Sequence, residues 1–64
     1  MTIVFYVLEY ISAPGWYYNN NSANSTNNVL YANRYASPDD ALKDTVPFEL
    51  RVCQVKLTVS PVDQ

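Results

Sequence analysis

The chain has 64 residues, a formal net charge of −2, one cysteine and no histidine. This length holds one small domain, residues 1–64, and the lone Cys53 cannot staple it with an internal disulfide. Without histidine the usual zinc and iron ligand sets are missing, so neither a metal nor a cofactor is expected. The basic residues Arg34, Lys43, Arg51 and Lys56 are scattered, which argues against the concentrated basic patch of a direct nucleic-acid binder.

The first element runs over residues 2–11, T-I-V-F-Y-V-L-E-Y-I, a β-branched and aromatic run with strand chemistry. Both of its faces are apolar, with Glu9 the polar exception on the face of Ile3, Phe5, Val7 and Ile11. That pattern predicts a strand covered on both sides, by a helix on one and a loop on the other; the alternative is that the Tyr6 and Tyr10 face meets another protein. Residues 12–15 carry Pro14 and the chain's one glycine, Gly15, and read as a turn. Residues 16–18, W-Y-Y, are long enough for a short second strand. An uncharged Asn-rich tract then spans about 19–28, and its side chains favour bonds to nearby backbone, so a polar loop is expected.

Residues 29–36 alternate and predict a third strand. Ser37 followed by Pro38, Asp39 and Asp40 is a helix start: a hydroxyl cap, a proline at the first helical position, and carboxylates at the positive end of the dipole. The helix runs to about Asp44, with Ala41 and Leu42 as its core side chains, and Pro47 stops it. Residues 48–59 form the closing strand. Its apolar residues sit at even positions in Phe48, Leu50 and Val52, then at odd positions in Val55, Leu57 and Val59. A bulge near Cys53 and Gln54 would keep both halves on one core; the alternative is a sharp bend where the strand leaves one sheet environment for another. Pro61 ends the strand, leaving 62–64 as a tail. The order β-β-β-α-β gives an α+β fold: a small, mostly antiparallel sheet of three to four strands with one short helix packed on it.

Catalytic chemistry has little to work with. Cys53 lies mid-strand among apolar residues and reads as an inert thiol. Asp39 and Asp40 are explained by the helix cap, and a single glycine cannot build a phosphate-cradling loop. No enzyme is expected. No basic stretch precedes the N-terminal apolar run, so no signal peptide is expected, and no apolar run nears the length of a membrane helix. The Asn-x-Ser/Thr patterns at Asn20 and Asn24 are read as chance, and a free thiol fits the cytoplasm. Aromatic content stands out at 14%, more rings than a core this small encloses. Tyrosine and tryptophan beside an arginine make the composition of an interface hot spot. The candidate partner-binding residues are Tyr6, Tyr10, Trp16, Tyr17, Tyr18, Tyr31, Arg34 and Tyr35.

The stretch Tyr31-Ala32, then Asp40-Ala41-Leu42, then Phe48-Glu49-Leu50 resembles very small bacteriophage accessory proteins. More narrowly, it is similar to the small inhibitors of bacterial RNA polymerase made by T-odd coliphages, over roughly the second half of the chain. In that family arginines of the last strand reach the polymerase. Val52 and Gln54 stand at those positions here, with Arg51 adjacent, so no functional arginine is carried over. The resemblance implies a host-takeover protein in the cytoplasm of a bacterial host. It would bind and sterically inhibit a host protein, either RNA polymerase or a CRISPR- or restriction-type defence effector. The alternative is a small structural or assembly module that forms a homo-oligomer, with residues 2–11 pairing or stacking with copies of themselves. A nucleic-acid binder using stacked aromatics is the least favoured reading, since such platforms come with a basic groove.

Overall fold

The computed structural model describes residues 1–20 and 24–62; positions 21–23 of the Asn tract and 63–64 of the tail lie outside the described residues. Four strands form one sheet: β1 (Thr2–Tyr10), β2 (Tyr17–Tyr18), β3 (Ser25–Thr26) and β4 (Leu50–Thr58), in the order β3-β2-β1-β4 with every pairing antiparallel. One helix, α1 (Pro38–Asp44), packs on this sheet. The architecture is the expected α+β class.

The strong local signals fold as their chemistry dictates. Gly15 takes φ +90°, a conformation that side chains resist, and closes the β1–β2 hairpin. Ser37 Oγ accepts the Asp40 amide at 3.2 Å, Pro38 opens α1, and Asp39 and Asp40 occupy its first turn. The helix ends at Asp44, where the Thr45 amide bonds the Leu42 carbonyl. Ala41 is fully buried, but Leu42 is mostly exposed, so the helix leans on the sheet through one small residue rather than two.

Three expectations need correction. The register between β1 and β4 runs without a break from Thr2 opposite Thr58 to Tyr10 opposite Leu50, so there is no bulge at Cys53 and Gln54. The change of parity has another cause: the sheet is covered on both faces, but at different heights. Leu50 and Val52 pack under α1 with Leu8 and Ala41, on the face of β1's even-numbered residues. Cys53, Val55 and Leu57 pack on the opposite face with Phe5, Val7 and Ala32. Each half of β4 is therefore apolar toward whichever side is covered there.

The second correction concerns 29–36. Residues Val29–Tyr31 form a short 3-10 turn, capped by the Asn28 side chain, and it covers the Phe5–Val7 face. Only Tyr35 behaves as strand, exchanging backbone bonds of 3.0 and 2.9 Å with Tyr6. The strand that pairs with β2 lies instead inside the Asn tract, where Ser25 faces Tyr18 and Thr26 faces Tyr17. The third concerns Phe48. It precedes β4 in a turn, with φ +69°, and it is 95% exposed rather than facing inward.

Candidate protein-binding face

Alternation along a strand sends successive side chains to opposite faces. Tyr6, Leu8 and Tyr10 of β1 share the α1 face, and Tyr18 and Tyr35 join them around Leu8, Ala41 and Leu50. Tyr17 packs on the other face against Phe5, Val7 and Ala32. Trp16, one residue before Tyr17, therefore falls on the α1 face, beside Tyr10, whose amide bonds the Trp16 carbonyl at 2.9 Å. The structure thus brings together Tyr6, Tyr10, Trp16, Tyr18 and Tyr35. It places Tyr17, Tyr31 and Arg34 elsewhere: Tyr31 is 70% exposed on the 3-10 turn, and the Arg34 guanidinium stacks over the Phe5 ring, 4.7 Å from its centroid, on the opposite face.

Within the aromatic group the hydroxyls at the α1 end have protein partners. Tyr35 Oη donates to Asp44 Oδ2 at 2.7 Å, and burial together with that carboxylate pushes its pKa up to about 12. Tyr6 Oη accepts from Gln54 Nε2 at 3.2 Å across the β1–β4 pair. Tyr35 thus ties the end of α1 to the sheet, and Tyr6 ties β1 to β4. At the hairpin end Tyr10 still packs on the Leu8–Ala41–Leu50 cluster, and a cleft opens beside it. Tyr10, Ala13, Trp16, Asn24 and Ser25 line an open cleft there of about 490 Å³. Tyr10 Oη donates to the Asn24 carbonyl at 2.7 Å and fixes one wall. Trp16 is 44% exposed and forms the other.

Sequence reasoning missed a further apolar side chain at this end. The Ile11 amide bonds the Glu49 carbonyl at 2.9 Å, which sets the turn carrying Phe48 beside the hairpin turn. Phe48, Ile11, Val46 and Trp16 are thus all exposed at one end of the sheet. The available signal was Pro47: a proline immediately before an apolar residue favours a turn there over an inward strand position.

On the opposite face Glu9 joins the hairpin to β4. Its Oε2 accepts the Gly15 amide at 3.0 Å, and its Oε1 lies 2.7 Å from Arg51 Nε, its cross-strand partner. The Gly15 bond first, and Arg51 second, hold the Glu9 carboxyl below the usual carboxylate range. The Cys53 thiol donates to the same Glu9 Oε1 at 3.7 Å, and burial first, then this carboxylate, push its pKa up, so the reactive thiolate is disfavoured. Among the described residues no three Cys, Asp or Glu side chains are grouped to hold a metal ion, and no helix is long and apolar enough to cross a membrane.

Compared with family models, with curated proteins and with solved structures, the chain matches none.

Proposed function

We propose that the chain is a phage-encoded inhibitor that occupies a surface of a host bacterial protein, with the Tyr10–Trp16 cleft as its anchor. The observation that carries this reading is the Tyr10–Trp16 aromatic pair lining an open cleft at the hairpin end of the sheet. Tyrosine and tryptophan supply large contact area at low conformational cost, and such rings dominate interface energetics when a partner seals them from water. With a net charge of only −2, shape and aromatic contact outweigh electrostatic steering. Inhibition is steric: the bound domain covers a working surface of RNA polymerase or of a restriction- or CRISPR-type effector. The resemblance of the second half of the chain to phage accessory proteins supports that class of target.

The test has two steps. Tagged protein is used to capture its partner from bacterial lysate, with Trp16→Ala as control, and the captured protein is then purified and assayed with saturating inhibitor. The reading expects one stoichiometric partner, lost with Trp16→Ala, whose activity falls on saturation. A partner that works unimpaired when saturated contradicts it. The alternative, pairing of residues 2–11 with copies of themselves, meets a β1 that already lies between β2 and β4 in the sheet.

A further inference from the structure

Met1 and Val59 exchange both backbone bonds, at 2.9 and 2.7 Å. Hydrogen-bonded and non-bonded pairs alternate along an antiparallel ladder. The odd-numbered residues of β4 therefore direct their backbone groups at β1, and Val52, Gln54, Lys56 and Thr58 direct theirs outward. β4 is the last strand of the sheet, so among the described residues these outward groups meet no further strand. Natural edges are shielded by bulges, by prolines, by charged side chains such as lysine or by being short. β4 has nine residues, an unbroken register and no proline; among the described residues Lys56 is its one edge charge with no acidic partner, since Arg51 is held by Glu9.

The molecule also exposes more surface than its mass calls for. Its accessible area is 4702 Å², against about 4,200 Å² for a folded monomer of this mass. The excess, roughly 500 Å², is of the order of the 800 Å² or so that each partner buries in a standard interface. Part of the exposed apolar surface lies where β1 and β4 run on past the 3-10 turn. There Met1 and Ile3 lie on the same face as Leu57 and Val59, continuous with the Phe5–Val7 cluster, and Met1, Ile3 and Val59 are exposed.

We propose that two copies of this chain pair antiparallel through their β4 edges, about a two-fold axis, into one continuous eight-stranded sheet. A two-fold pairing must set residues of equal parity opposite each other. The register with Val55 facing Val55 of the second copy aligns Cys53 with Leu57 on the apolar face. It sets Gln54 against Lys56 and Val52 against Thr58 on the other. A shift by one step toward the C-terminus would set Lys56 against Lys56, so charge selects against that slip. An isologous edge contact satisfies both open edges at once and closes the assembly at two.

Sedimentation of the full chain at low micromolar concentration tests this, beside Gln54→Pro. Proline there removes an outward N–H and leaves the ladder to β1 intact. The expected result is a mass twice the 7.3 kDa of the chain, halved by Gln54→Pro with far-ultraviolet dichroism unchanged. If Gln54→Pro fails to fold, Val55→Cys in a Cys53→Ser background decides: the self-facing pair forms an intermolecular disulfide on mild oxidation. A wild-type mass of 7.3 kDa, which would leave the edge to some other protein's strand, overturns the proposal. So does a folded Gln54→Pro dimer, or the absence of the cross-link.

Discussion

Single residues in this chain divide sharply between those that hold the fold and those held against their preference. Glu9 is of the first kind. Its carboxylate form is favoured in the folded state, so its contribution is fully present above the ordinary carboxylate pKa and drains away as pH falls through the lowered folded value. Denaturant titrations of wild type and Glu9→Gln should therefore differ at pH 7 and converge on acidification below about pH 4; an equal gap at both would contradict this. Tyr35 works from the other end of the scale. With its pKa raised to about 12, the neutral hydroxyl is the stabilised form. What it contributes over Tyr35→Phe is present below pH of about 10 and lost as pH rises toward 12. Phe48 is of the second kind: a large, 95% exposed side chain at φ +69°. The left-handed conformation costs a non-glycine residue about 1–2 kcal/mol, partly offset by the greater unfolded-state freedom of glycine. Phe48→Gly should raise stability by roughly 0.5 kcal/mol on that balance, read by chemical denaturation, and weaken partner binding. A loss of stability would show that the ring packs on something in the free molecule.

At the scale of elements, the helix depends on its cap and on one alanine. Ser37→Ala removes the acceptor for the Asp40 amide and should cost about 1 kcal/mol in equilibrium unfolding; no change would mean that Pro38 and the first-turn carboxylates suffice. The cap, the glycine turn and the two long strands were legible in the sequence because each rests on local chemistry. The elements that were not legible depend on tertiary cover. Residues 29–36 alternate like a strand, yet Val29 and Ala32 are drawn onto the Phe5–Val7 face by a 3-10 turn, leaving only Tyr35 to pair. Ser25 and Thr26 lack any hydrophobic period and become strand because β2 offers them an open edge. The parity change in β4 looked like a bulge because a sequence shows which residues are apolar but not on which side each half is covered. The aromatic site was half legible for the same reason: composition pointed to its rings, and only the strand parity separated Trp16 and Tyr10 from Tyr17.

The whole molecule is a sheet with one thin core on each face, and it measures 47 × 23 × 19 Å. Among the described residues the fully buried side chains larger than alanine are Val7 and Leu8, one for each face. A core this small has little reserve, and Leu8→Ala at a site closed by Ala41 and Leu50 should cost about 2–5 kcal/mol, enough to leave much of the chain unfolded. The two regions proposed for binding lie on different elements: the aromatic cleft between β1 and the hairpin, and the open β4 edge with the apolar strand ends beyond it. A partner at the first and a second copy at the other need not compete for surface. The claim on which this picture rests is that binding belongs to one face of the sheet. Titration calorimetry of the purified partner against Trp16→Ala and Tyr31→Ala tests it most directly, since both rings are exposed but only Trp16 lines the cleft. The expected result is a loss of about 2 kcal/mol or more, roughly 30-fold in Kd, for Trp16→Ala and none for Tyr31→Ala. Equal losses, or a loss confined to Tyr31→Ala, would contradict it.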